Sequence, residues 1–216
     1  MKIVNRRGLP TKGLVFGLVE AIVIDNRDPN ELGRVKVKFP TLPSQPESYW
    51  ARVCTPMAGA SRGWVSLPEI GDEVLVTFMH GSVEHALVVG ALYNGVDVPP
   101  YQNKDGENNL RMFVSRSGHQ MVFDDTDGKE RMMFVTSKQK VAVSWNAHAK
   151  QLSVFCDGDI EIQAKNEVSV KCGECLIQTK ENLHVAAQNI NIKSGSQAAF
   201  ASKGQLHLKT ADLKIN

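Results

Sequence analysis

The stretch that decides the fold of the first half is Arg34-Val35-Lys36-Val37-Lys38-Phe39, in which apolar and basic side chains alternate strictly. Successive side chains of a β-strand point to opposite faces, so the three apolar residues share one face and the lysines lie on the other. The pattern therefore predicts a strand with one buried and one solvated face. Four further stretches around it are also predicted as strands: 14–24, 49–54, 73–79 and 86–92.

These five strands predict an all-β domain, because no window of the chain shows the apolar spacing of an amphipathic helix. Five short strands with irregular loops are typical of a small closed barrel such as the OB fold. Closing the barrel would also remove exposed sheet edges.

The composition restricts the class of protein. The 216 residues are 42% hydrophobic and 22% charged, with a net charge of +2, which is typical of a soluble globular protein. No apolar run approaches the length of about 18 residues that a membrane helix needs, and no apolar segment follows the basic N-terminus as in a signal peptide. The four cysteines do not indicate a disulfide framework.

The chain is expected to divide into two domains. The stretch 96–109 contains Pro99-Pro100 and Gly106 among polar residues, which indicates a linker. The predicted organisation is an N-terminal arm (1–12), an OB-fold barrel (13–95), a linker (96–112) and a second β domain (113–216).

The second domain contains a repeat. After several strands with tight turns between 112 and 154, apolar-x-apolar units recur every seven or eight residues, with polar residues between them. The large apolar residues of these units are predicted to point inwards and to form a common core: Ile160, Ile162, Val168, Val170, Ile177, Leu183, Val185, Ile190, Ile192, Phe200, Leu206, Leu208, Leu213 and Ile215.

One repeat unit cannot close a core alone, so two architectures are open. A single chain could coil into a parallel β-solenoid, or three chains could wind round a common axis with each supplying one wall. A single-chain coil needs about 18 residues, and hexapeptide solenoids keep a period of six. The period of seven or eight residues favours the three-chain arrangement.

Several motifs together resemble those of phage baseplate assembly protein V and of the type VI secretion protein VgrG. The matching stretches cover much of residues 14–128: Asn26-Arg27-Asp28-Pro29, Gly33-Arg34-Val35-Lys36-Val37, Tyr49-Trp50-Ala51-Arg52-Val53, Leu67-Pro68-Glu69-Ile70-Gly71-Asp72-Glu73, Val88-Val89-Gly90-Ala91-Leu92-Tyr93-Asn94-Gly95 and Ser115-Arg116-Ser117-Gly118-His119.

The resemblance implies a homotrimeric central spike of a contractile phage tail or injection particle, with an OB barrel followed by an intertwined triple-stranded β-helix. It implies docking on a trimeric baseplate hub protein, a PAAR-type protein at the C-terminal tip, and piercing of a target cell envelope. It also implies synthesis in the bacterial cytoplasm and assembly into a virion baseplate or injection particle. A VgrG-like spike and effector carrier is the alternative, although no N-terminal hub region is recognised.

Candidate chemistry is weak, so we expect no enzyme activity, cofactor, metal site or nucleic-acid partner. Cys172-Gly173-Glu174-Cys175 has no second ligand pair for zinc, and packing is the favoured interpretation. Asp125-Thr126-Asp127-Gly128 lacks the glutamate of a calcium loop and indicates a hairpin turn.

For two other groups of residues, a functional role and a purely structural role can both be considered. Trp50, Trp64 and Tyr93 could stack on single-stranded nucleic acid, but core packing or a partner contact is favoured. The carboxylates at positions 69, 72 and 73 are interpreted as a solvated loop rather than as an acid–base pair.

Overall fold

The computed structural model describes residues 14–42, 46–205, 207 and 209. The first seven strands are β1 (Val19–Asp25), β2 (Arg34–Lys38), β3 (Ala51–Val53), β4 (Ala58–Gly59), β5 (Arg62–Gly63), β6 (Glu73–Phe78) and β7 (Ala86–Ala91). Five more follow: β8 (Leu110–Val114), β9 (Gln120–Asp124), β10 (Arg131–Val135), β11 (Val141–Asn146) and β12 (Gln151–Cys156). Short 3-10 turns cover Met79–Gly81 and Ser137–Gln139.

Five of these strands form a closed barrel in the order β1-β2-β3-β7-β6. All neighbouring strands are antiparallel except β3 and β7, which pair in parallel. The barrel confirms the five strands that the sequence predicts and the all-β class. The two-residue strands β4 and β5 pair as a separate hairpin that the sequence did not predict.

The interior of the barrel is filled by small and β-branched side chains. Val35, Val37 and Phe39 are at most 1% exposed, as the alternation in β2 predicts. The ring of Phe39 packs against Phe78 with centroids 5.4 Å apart. The other core residues are Ala21, Val23, Ala51, Val74, Val76, Ala86 and Val88.

The first strand is shorter than the sequence predicts. It begins at Val19 rather than at residue 14, because the backbone at Gly17 takes a positive φ of +102°. Before this point Val15 donates a backbone hydrogen bond to Gly81, and the side chains of Phe16 and Leu18 are exposed.

The strands after the barrel form one antiparallel sheet in the order β12-β11-β10-β9-β8. Each strand pairs with its neighbours in sequence, so the sheet is a simple meander. The first of them begins at Leu110, so the predicted linker 96–112 overlaps the sheet by three residues. Four of the five residues from Leu110 to Val114 are apolar, and half-buried and exposed positions alternate along them, as in a strand with one covered face.

The C-terminal part forms a separate unit from Glu161 onwards. Between 159 and 205 no residue is assigned to a strand or helix, and the backbone instead bends at 165–166, 173, 180–181, 188, 195–196 and 203–204. These bends recur every seven or eight residues, the period of the sequence repeat. The proposed arm, 1–12, lies outside the described residues.

Candidate interaction surfaces

One face of the five-stranded sheet is apolar and lies open to solvent. Residues opposite one another on neighbouring strands point to the same side, and so do residues two apart on one strand. The register aligns Phe113, Met121, Phe134, Val143 and Val154 in one row. With the next rows, the apolar part of this face comprises Phe113, Met121, Phe123, Met132, Phe134, Val141, Val143, Trp145, Leu152 and Val154, and Arg111 and Cys156 lie at its two edges. We call it the aromatic face.

Eight of the ten apolar residues of the aromatic face are exposed despite their size, and Met121 and Val143 are half-buried. Phe134 is 51% exposed and Leu152 is 60% exposed. Phe134 and Trp145 touch edge to face with ring centroids 5.9 Å apart. An apolar surface of this extent is rare on a monomeric protein and usually marks an interaction site.

The opposite face of the same sheet is the better covered one. Val122 and Asp124 are nearly inaccessible there, at 4% and 6% exposure. Asp124 accepts hydrogen bonds from the Thr126 hydroxyl at 2.6 Å and from Arg131 Nε at 3.0 Å. These contacts hold the pKa of Asp124 below its ordinary value, with the Thr126 hydroxyl as the largest cause. The sheet thus exposes its more apolar face.

The C-terminal repeat presents a second exposed apolar surface. Of the fourteen residues predicted to form its core, the ten between Ile160 and Phe200 are all more than half exposed in the single chain. Leu206, Leu208, Leu213 and Ile215 lie outside the described residues. The shared core therefore stays a prediction, since one chain alone buries none of the ten residues.

The tight-turn interpretation of the aspartate-rich motif agrees with the structure. Asp127-Gly128 forms the turn of the hairpin between β9 and β10, and Lys129 donates a backbone hydrogen bond to Thr126 at 2.9 Å. Among the described residues, no group of three or more His, Cys, Asp or Glu side chains could hold a metal ion. Cys172 and Cys175 are both exposed, so their packing stays a prediction.

The three carboxylates near β6 serve the local backbone and their neighbours. Asp72 accepts from the backbone amide of Glu69 at 2.8 Å, and Glu69 pairs with Arg116 at 3.1 Å. Glu73 accepts from the Asn94 side-chain amide at 2.8 Å. Each carboxylate thus has a separate structural partner, and the three do not form an acid–base pair.

The aromatic residues that the sequence singled out are not in the core. Trp64 and Tyr93 are 51% and 67% exposed, and Trp50 is half-buried. Core packing is therefore wrong, because the barrel interior is already filled by valines, alanines and two phenylalanines, and the other half of the interpretation, contact with a partner, stays a prediction. The three rings line three different cavities and do not form one stacking platform.

The barrel also matches a known family. Residues 19–93 match the model described as the Type VI secretion system/phage-baseplate injector OB domain. The barrel thus resembles an injector OB domain. The match covers β1 to β7 and supports the baseplate V and VgrG-like spike family to which the sequence motifs pointed.

Several curated proteins are similar to more of the chain than the barrel. The actin cross-linking toxin VgrG1 of Vibrio cholerae is 26% identical over 173 residues, 76% of this chain and 15% of that protein. The type VI secretion system spike protein VgrG3 of Vibrio cholerae is 28% identical over 141 residues, 61% of this chain and 13% of that protein.

A third relative is more similar over a shorter stretch. The type VI secretion system spike protein VgrG2a of Pseudomonas aeruginosa is 36% identical over 80 residues, 35% of this chain and 10% of that protein. The chain therefore spans no more than 15% of the length of these three relatives. In the described part of the chain, no helix is long and apolar enough to cross a membrane.

Proposed function

We propose that the chain is a structural central spike protein of a contractile injection system and acts as a homotrimer. The observation that carries this proposal is the exposed aromatic face, which one chain leaves in water. The injector OB domain and the similarity to proteins described as type VI secretion system spike proteins support the same function.

In the proposed trimer, three aromatic faces pack together around one axis. Burying apolar surface contributes about 25 cal/mol for each Å² removed from water, so a face of ten large side chains supplies a strong drive to associate. The covered face of each sheet would then remain on the outside. The strands of each five-stranded sheet are already paired within one chain, so association of the sheets requires only packing of the aromatic face.

In the same proposal, the C-terminal repeat forms an intertwined triple-stranded β-helix with the repeats of two other chains. Each short extended segment between two bends would form part of one wall, and each bend would form a corner. This arrangement would bury the ten exposed apolar residues of the repeat and pair their backbone groups with the other two chains. The product would be a stiff rod suited to piercing a cell envelope.

The remaining partners follow from the same proposal. The barrels would dock on a trimeric baseplate hub protein, and a PAAR-type protein would cap the C-terminal end. The particle would be a contractile phage tail or a phage-tail-like injection particle. The names of the relatives equally support a VgrG-like spike and effector carrier of a type VI-like secretion system. No catalytic step is part of the proposal.

The decisive experiment is the solution mass of the purified 216-residue chain, measured by multi-angle light scattering. We expect three chains of 23.8 kDa each, or about 71 kDa. A mass of one chain at micromolar concentration would contradict the trimer and would favour a solenoid that closes on itself. Cysteine reactivity gives a second test. Cys54 and Cys175 are both exposed in the single chain, but Cys175 stands two residues before the predicted core residue Ile177 and should react more slowly than Cys54 in a trimer.

A further inference from the structure

The outer side of β2 and β3 collects basic residues that are scattered along the sequence. Arg34, Lys36 and Lys38 alternate with the buried residues of β2 and therefore point away from the core. Arg52 occupies the corresponding position on β3, and the register places it directly opposite Arg34. Like charges at opposite positions of an antiparallel pair repel each other, so this arrangement is unfavourable unless anions compensate for it.

Among the residues that the structure describes, only one of the two opposed arginines has a carboxylate partner. Arg34 makes two hydrogen bonds of 2.7 Å to Asp28. Arg52 donates one, at 3.3 Å, to the thioether sulfur of Met79, a weak acceptor. Within the described residues, no carboxylate lies within ion-pair distance of Arg52. The guanidinium of Arg52 is exposed and has donors free for an external anion.

These residues line a groove on the surface of the barrel. Arg34, Trp50 and Arg52 form one part of its lining, together with the apolar side chains of Met79 and Leu87. The groove has a volume of about 560 Å³ and is open to solvent, a size that admits a few side chains of an extended peptide. The Nζ atom of Lys36 lies over the ring of Trp50, 5.0 Å from the ring centroid, and adds positive charge beside the groove.

We propose that this groove binds an acidic segment of a partner protein, with a carboxylate of that segment paired to Arg52. The planar guanidinium presents two parallel donors that match the two oxygens of a carboxylate. Such a contact would also offset the repulsion between the two opposed arginines. This docking site belongs to the barrel alone and does not depend on trimerisation.

The geometry favours a protein over a single-stranded nucleic acid. Grooves for single strands stack successive bases on several aromatic rings. The described lining of this groove has one large aromatic ring, Trp50, against which Lys36 already lies, and one imidazole, His85, beside the carboxylate of Glu84, which would repel a phosphate backbone. Trp64 and Tyr93 line other cavities and cannot extend the platform.

The test uses the full 216-residue chain and a fluorescein-labelled hexaglutamate peptide, with binding followed by fluorescence anisotropy at low ionic strength. We expect saturable binding that weakens as salt is added. Arg52→Gln should weaken the binding of hexaglutamate about tenfold, because the charge-assisted hydrogen bond to a peptide carboxylate is lost. Glu84→Gln, which removes a negative charge from the groove lining, should strengthen it.

Arg27→Gln is the matched control, because it removes an exposed arginine outside the groove and should leave the affinity unchanged. Equal affinities of wild type and Arg52→Gln, or no saturable binding of hexaglutamate, would overturn the proposal. Tighter binding of a labelled six-nucleotide dT strand than of the peptide would also overturn it, in favour of nucleic acid. Thermal melts and solution masses of all variants separate loss of this site from loss of the barrel or of the trimer.

Discussion

The carboxylate of Asp28 forms a bidentate ion pair with the guanidinium of Arg34 and fixes the loop between β1 and β2. Oδ1 accepts from Arg34 Nη2 and Oδ2 accepts from Nε, both at 2.7 Å. The same carboxylate accepts from the backbone amides of Asn30 and Leu32, both at 3.0 Å. Its side chain is only 3% exposed. One side chain therefore fixes both the path of the loop and the orientation of the arginine.

Replacing this carboxylate should destabilise the barrel. Asp28→Asn keeps the shape but removes the charge and replaces one of the two acceptor oxygens with an NH2 donor, so the bidentate pair with Arg34 and one acceptor for the loop amides are lost. We expect the melting temperature to fall by several degrees, measured by circular dichroism at pH 7. Asp127→Asn is the control, since it removes an exposed carboxylate and should not change the melting temperature. Equal melting of both variants would mean that the loop does not depend on the pair.

The same contact predicts a pH dependence. The Arg34 guanidinium, followed by the loop amides, holds the pKa of Asp28 far below its ordinary value of 3.8. Because the pKa is lower in the folded protein, the stabilisation is present above pH 3.8 and is lost as the pH falls below it. The stability difference between wild type and Asp28→Asn should therefore be constant from pH 7 to 5 and should shrink below pH 4. A difference that grows on acidification would contradict this assignment.

The barrel core should be sensitive to a large deletion at Phe39. This ring is 1% exposed and packs on Phe78, so Phe39→Ala leaves a cavity that β-branched neighbours cannot fill. The expected loss is about 3–5 kcal/mol in the free energy of unfolding, measured by urea denaturation at one protein concentration. Tyr49→Ala, at a position 70% exposed, should change it by no more than about 0.5 kcal/mol. Similar losses for the two variants would be inconsistent with this core.

Strict alternation made the barrel predictable from the sequence. In 34–39 each apolar residue that the pattern assigned to one face is buried, and the five predicted strands all appear. Hairpin β4–β5 was missed because its two-residue strands, Ala58–Gly59 and Arg62–Gly63, have no apolar pattern. The early start predicted for β1 failed because apolarity does not reveal the positive φ at Gly17.

The interaction surfaces were harder to predict because they depend on register. The strands between 112 and 154 were expected, but which residues share a face follows only from their cross-strand pairing. The basic groove needed the same information, since Arg34 and Arg52 are 18 positions apart and meet only when β2 pairs with β3. The net charge of +2 gave no sign of this local concentration.

The turn between β9 and β10 should depend on the backbone freedom of one residue. Gly128 has a φ of +69°, and a Cβ there would meet no atom within 4 Å. Gly128→Ala should therefore destabilise the sheet only through backbone strain, by about 1–2 kcal/mol. Gly128→Asn should cost less, because asparagine tolerates the left-handed region. Urea denaturation of the two variants measures both values, and an alanine variant as stable as wild type would rule out this turn geometry.

The aromatic face should decide the oligomeric state. Phe134→Glu places a charge in the middle of this face, next to Trp145, where burial against other chains would require costly desolvation. We expect light scattering to report one chain instead of three, with the barrel still folded because its core does not involve this sheet. Gln120→Glu adds the same charge at an exposed position on the opposite face of the sheet and should leave the mass of three chains intact. If both variants keep that mass, the trimer is held by another surface, such as the C-terminal repeat, and the aromatic face does not decide the oligomeric state. If both become single chains, added charge anywhere on the sheet prevents assembly, and the distinction between its two faces fails.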